Sequence, residues 1–191
     1  VGVLNLIFLA LFPAATAAKP VDFSFEELQQ IAPVVMPLLD LIAEGEGEYH
    51  SINRGRAGDS PGDWPKKHLG KSITQMTLVE LRGHQGGNKK ECWLNGTRGA
   101  AGLYAVGRYQ LIPCTFQWVL SRLKEIDMQL LYDEPTQDAL ATYLILVKRP
   151  ELGAYLLGWT NKFREAGQEL AKEFASVPIQ YRNSRCKRGQ S

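Results

Sequence analysis

Three acids crowd together where an apolar run gives way to glycine: Glu44, Glu46 and Glu48 in "LLDLIAEGEGEY", residues 38–49. A carboxyl group held against apolar side chains resists ionisation, and a general acid working near neutral pH needs that shift. Helical spacing separates the candidates. Counting about 100° per residue from Leu38, Asp40 and Glu44 fall at about 200° and 240°, away from the apolar arc, whereas Glu46 falls at about 80°, inside it. Glu46 is therefore the candidate catalytic acid, and Glu44 the solvated one. Gly45 and Gly47 remove bulk on either side of Glu46 and allow a ligand close to the backbone.

A second group of residues lies downstream in "AVGRYQLIPCTF", residues 105–116. The Gln110 amide is at once donor and acceptor, which suits an acetamido group or a sugar hydroxyl. Tyr109 carries an aromatic face with a polar tip. Between the two stretches runs "NRGRAGDSPGDWP", residues 53–65. Its Asp59, standing before Ser-Pro-Gly, reads either as a turn former or as a second carboxylate.

A glutamate followed by glycine at a helix end, an asparagine-bearing loop, and then a G-x-x-Q-(I/L)-x-P-x-T run resemble the lysozyme superfamily. Here these pieces are "EGEYHSIN" from Glu46 to Asn53 and "GRYQLIPCT" from Gly107 to Thr115. Goose-type lysozymes and bacterial lytic transglycosylases share the arrangement. The nearer resemblance is to the lambda-type phage endolysins, through "GRYQL" and the helix start "TQDALA", residues 136–141. It spans about residues 38–180. The loop 53–65 departs from that pattern.

The resemblance implies a lysozyme-like fold and cleavage of the β-1,4 bond between N-acetylmuramic acid and N-acetylglucosamine in peptidoglycan. It places Glu46 at the acid position and Gln110 beside it, with Tyr109 and Asn53 along the cleft wall. If Asp59 reaches the cleft, it stabilises the developing oxocarbenium ion or positions water, and the bond is hydrolysed. If it does not, the acetamido carbonyl of the substrate takes that role and a 1,6-anhydro sugar results. Neither route uses a cofactor or a metal. A reading from another class stays open, a non-catalytic glycan-binding or envelope-assembly module on the same scaffold.

The elements that must position these groups read as mainly α (α+β), a helical domain with an irregular glycine-rich insertion that has room for a small β-sheet. Ser24 with Glu27 and Thr77 with Glu80 are capping boxes, and Phe23 with Leu28 suits a hydrophobic staple. Pro33 interrupts the first helix and Pro37 restarts it, leaving a short helix over 38–46. Residues 48–106 lack periodicity apart from the short helix that Thr77 starts. From Thr115 onward the helical spacing returns, in Phe116, Val119, Leu120, Leu123 and Ile126. Pro135 opens a helix with Ala139, Leu140, Tyr143 and Leu144 on one face. Thr160 caps a last one that buries Phe163, Ala166, Leu170 and Phe174 before Pro178.

The chain of 191 residues suits one catalytic domain, over 19–180. Residues 1–18 read as a signal peptide or a signal-like leader that anchors and is later released, an apolar run closing on Ala15-Thr16-Ala17, too short to span a membrane. Export to the periplasm or medium is thus expected, where a peptidoglycan substrate lies. A formal net charge of +2 gives no case for nucleic acid. Residues 181–191 form a basic tail with Arg182, Arg185, Lys187 and Arg188. Cys92, Cys114 and Cys186 allow one disulfide in three pairings, and His50, His68 and His84 share no metal-ligand spacing. The expected partner is the glycan strand, and the expected state is a monomer.

Overall fold

A computed structural model of the chain describes residues 22–86, 102–123 and 125–177. The leader 1–18, the tail 181–191, Cys92, Cys186 and Pro178 lie outside them. Seven α-helices and a small antiparallel sheet make up the described residues, which gives the mainly α class with a minor β component.

Helix α1, Phe25–Glu46, is capped at Ser24 by the expected box. The Ser24 Oγ accepts from the Glu27 amide at 3.2 Å, and the Glu27 carboxylate accepts from the Ser24 amide at 2.8 Å. The helix does not break. Pro33 and Pro37 both lie inside a continuous run of 22 residues, which corrects the expectation of a separate helix over 38–46. Both prolines are exposed, so the carbonyls they leave without an amide partner face the solvent side of the helix rather than the core.

The irregular middle holds the sheet. Strand β1, Ile52–Asn53, pairs antiparallel with β2, Asp59–Ser60, and with β3, Ala105–Val106, in the order β2-β1-β3. The loop 53–65 holds a 3-10 turn, Gly55–Ala57, and strand β2, and leads into a second helix, α2, Trp64–Leu69, which the lack of periodicity concealed. Trp64 is stacked on His68 at 4.3 Å, and the Arg54 guanidinium lies 4.2 Å from the same ring, pinning α2 to the hairpin. Helix α3, Leu78–His84, carries the expected Thr77/Glu80 box.

Helix α4, Pro113–Arg122, buries Phe116, Val119 and Leu120. Helix α5, Glu134–Tyr143, is the centre of the molecule. Residues 136–146 are buried without a break, and α1 packs along it. Such a helix must satisfy every polar group it buries, and Thr142 does so by donating to the Asp138 carbonyl at 2.8 Å. A π-helical turn, Leu144–Lys148, follows and delivers Lys148 and Arg149 to Glu173. Helices α6, Pro150–Leu156, and α7, Phe163–Glu173, pack on each other. Ala166, Leu170 and Phe174 are buried as expected, but Phe163 is 68% exposed. The α7 cap falls at Lys162, and Thr160 accepts only the Lys162 amide, so Phe163 starts the helix on its outer side.

Cys114, at the start of α4, is disulfide-bonded, to a partner outside the described residues. Among the described residues no helix is long and apolar enough to cross a membrane.

Candidate active-site cleft

The C-terminus of α1, the hairpin β1–β2 and Gln110 enclose a cleft of about 340 Å³. Glu46, Asp59 and Gln110 all line it, so three residues separated by up to 64 positions meet in one place. Glu48, His50, Ser51 and Ser60 add to its polar wall, and Ile52 and Gly62 also line it. The lining is more polar than the helical face argument implies, because the cleft wall comes from the loop and hairpin rather than from α1.

Glu46 is half-buried while Glu44 is exposed, in the order expected from the helical face. One carboxylate oxygen of Glu46, Oε1, is held from the far end of the chain. The Ser176 amide donates to it at 3.0 Å and the Ser176 hydroxyl at 2.7 Å. The flanking glycines serve the protein's own packing. A Cβ on Gly45 would stand 2.3 Å from the Ser176 Cβ, and one on Gly47 would stand 2.7 Å from the Ser51 Oγ. That hydroxyl accepts the Glu48 amide at 2.7 Å as the chain leaves the helix. Positions 45 and 47 are therefore glycine because two serines occupy the space that side chains would need.

Asp59 is brought to the cleft by β2 and held by Asn53. The Asn53 Nδ2 donates to the Asp59 Oδ1 at 2.8 Å, while its Oδ1 accepts the Gly55 amide at 2.7 Å. Asn53 thus acts on the hairpin and on Asp59, one step behind the cleft surface.

Gln110 closes a tight turn between β3 and α4. Val106 and Leu111 pair across it, and the Gln110 amide donates to the Gly107 carbonyl at 3.2 Å. Its backbone adopts φ 45°, the left-handed region that costs a side-chain-bearing residue about 1–2 kcal/mol. Its Nε2 donates to the Gly107 carbonyl at 2.9 Å, so one half of the amide is spent on its own turn. Oε1 remains as the acceptor.

Tyr109 does not line the cleft. It is 2% exposed, and its hydroxyl donates to the Asp138 carboxylate at 2.5 Å, which turns the ring inward to α5. Tyr49 donates to the same carboxylate at 3.0 Å, and the Arg108 guanidinium donates to both phenolic oxygens, at 3.1 and 3.2 Å. Arg108 also reaches Asp40 on α1 at 2.6 Å, so Asp40 is a paired residue and not simply a solvated one. Burial first, then the Asp138 charge, pushes the Tyr49 hydroxyl up to about 12. Burial and the Asp138 hydrogen bond push Tyr109 further in the same direction.

The sequence reading missed Arg108, Gln137, Asp138 and Ser176. For the first three a signal existed, because a Gln-Asp pair at the start of an apolar helix must find buried partners. For Ser176 there was none. Among the described residues no group of three or more His, Cys, Asp or Glu is arranged to hold a metal ion. Compared with models of protein families, with curated proteins and with solved structures, the chain matches none.

Proposed function

We propose that the chain is a peptidoglycan muramidase with a lysozyme-like fold, acting on the β-1,4 bond between N-acetylmuramic acid and N-acetylglucosamine after export to the periplasm or medium. The observation that carries this reading is the meeting of Glu46, Asp59 and Gln110 in one cleft open to solvent. The resemblance in "EGEYHSIN" and "GRYQLIPCT" supports the same assignment.

In this mechanism Glu46 gives a proton to the leaving glycosidic oxygen as positive charge grows on the sugar ring. Ser176 occupies Oε1, and Oε2 has no hydrogen-bond partner among the described residues, so Oε2 is the oxygen that delivers the proton. The Gln110 Oε1 accepts the N–H of an acetamido group and sets the sugar in register. Asp59, oriented by Asn53, stabilises the oxocarbenium ion or directs the attacking water. A reaction with both carboxylates in place ends in hydrolysis.

Mass spectrometry of the muropeptides released from purified sacculi tests each step. Wild type is expected to release disaccharide units with reducing ends. Glu46→Gln should release none while remaining folded. Exclusively 1,6-anhydro products, untouched by Asp59→Asn, would replace the two-carboxylate route by the substrate-assisted one. Sacculi bound but never cleaved by wild type would leave only a glycan-binding module.

A further inference from the structure

We infer that Ser176 is a positioning residue for Glu46, and that Gly45 exists to admit it. The inference rests on reading Glu46 as the acid. Two independent observations support it. Both donors of Ser176, its backbone amide and its hydroxyl, converge on the same oxygen of Glu46, at 3.0 and 2.7 Å. Separately, the Ser176 Cβ fills the space where any side chain at position 45 would begin, 2.3 Å from an ideal Cβ there.

The geometry explains why two donors are needed. A glutamate has three rotatable side-chain bonds, and at a helix end no neighbouring turn restrains them. One hydrogen bond fixes an oxygen but leaves the carboxyl plane free to swing about it. Two donors from one residue fix the direction of approach as well, which holds the other oxygen toward the cleft. Ser176 is itself anchored by its neighbours. Phe174 is 3% exposed in the core, and the Val177 amide donates to the Phe174 carbonyl at 3.1 Å. The segment after α7 therefore brings two donors to the acid from outside the residues that line the cleft.

A misdirected acid slows proton transfer but leaves the substrate's own contacts in place. Ser176→Ala is expected to lower the rate of muropeptide release at saturating sacculi roughly tenfold to a hundredfold, with unchanged sacculus affinity in pull-down. Ser176→Thr, which keeps the hydroxyl, should restore most of the rate. Gly45→Ala should reproduce the defect by pushing Ser176 away. Adding Ser176→Gly to it should relieve the clash and raise stability relative to Gly45→Ala alone, without recovering the rate.

A readout that does not depend on turnover accompanies these rates. In two-dimensional amide spectra the Ser176 N–H should shift as carboxyl groups titrate, and that shift should vanish in Glu46→Gln. An amide that ignores the Glu46→Gln exchange, or a Ser176→Ala protein with wild-type release rate, overturns the inference. Wild-type protein with a responsive Ser176 amide and no release of muropeptides sinks the muramidase reading, and the positioning role with it, leaving only the contact between Ser176 and Glu46.

Discussion

The backbone amide of Arg108 donates to the Gln137 Oε1 at 2.8 Å, tying the turn that carries Gln110 to the first turn of the central helix α5. The other end of the Gln137 amide donates to the carbonyls of Tyr49 and Tyr132, each at 3.1 Å. Gln137 has no exposed surface at all. One side chain thus binds the loop leaving α1, the approach to α5 and the Gln110 turn into a single unit. Replacing it with Ala would strand the Arg108 amide and two carbonyls, at about 1–3 kcal/mol for each buried group left unpaired. We expect Gln137→Ala to lose about 3–5 kcal/mol in urea denaturation, and Gln137→Glu to lose at least as much, because an oxygen would replace the donor that faces the Tyr49 and Tyr132 carbonyls.

Gly107 gives a stricter test of the same unit. A Cβ there would lie 2.3 Å from the Gln137 Oε1 and 2.6 Å from the Tyr132 hydroxyl, and its φ of 77° already disfavours a side chain. Gly107→Ala should destabilise by about 2–4 kcal/mol. A neutral substitution in thermal or chemical denaturation would mean that the turn can slide away from α5.

Gln110 separates stability from function. Its φ of 45° means that Gln110→Gly removes backbone strain while deleting the amide that faces the cleft. The two backbone effects offset, so stability should stay within about 1 kcal/mol of wild type. Muropeptide release should still fall roughly tenfold or more. Equal losses in stability and release would assign Gln110 to the fold rather than to the substrate.

The tyrosines around Asp138 make an alkaline prediction. The Tyr49 hydroxyl stays protonated up to about 12 in the folded chain, above the ordinary tyrosine value near 10. Below pH 10 both states hold the proton and nothing is lost. As pH rises from about 10 to 12 the unfolded chain releases its proton first, so stability declines through that window. Tyr49→Phe should flatten the decline relative to wild type when urea midpoints are compared from pH 9 to 11.

Two ion pairs should differ sharply in weight. The Glu173 side chain is 4% exposed and sits between Lys148 at 2.6 Å and Arg149 at 2.7 Å. Removing its charge leaves two half-buried cations facing each other, and Glu173→Gln should cost about 2–4 kcal/mol. Lys67 and Asp63 are paired at 2.6 Å but remain 67% and 53% exposed. Lys67→Ala should change stability by less than about 0.5 kcal/mol.

What the sequence disclosed, and what it hid, follows from the range of each interaction. The capping boxes at Ser24 and Thr77 were legible because their partners lie three residues away. The buried face of α4 was legible through its period, whereas α5 is buried on every side from residue 136 on. Pro33 and Pro37 misled because a proline's effect depends on which side of the helix its missing bond faces, and both face solvent. The strands span two residues each, too few for any alternation to register. Glu46 stood out from its own helix and Gln110 from its motif. Tyr109 was misplaced because the partner that turns it inward, Asp138, is 29 residues downstream.

The bond between Glu46 and Ser176 also sets a schedule. The two residues are 130 positions apart, so on a ribosome adding 5–20 residues per second Glu46 emerges roughly 7–26 s before the serine that holds it is made. During that interval α1 and the hairpin can form, but the acid has no fixed direction. On the proposed muramidase reading, a site completed only by α7 and the segment after it stays idle in every unfinished chain. Translation itself then becomes the safety catch, and a chain released early, before residue 176, would carry the cleft without the grip that arms it.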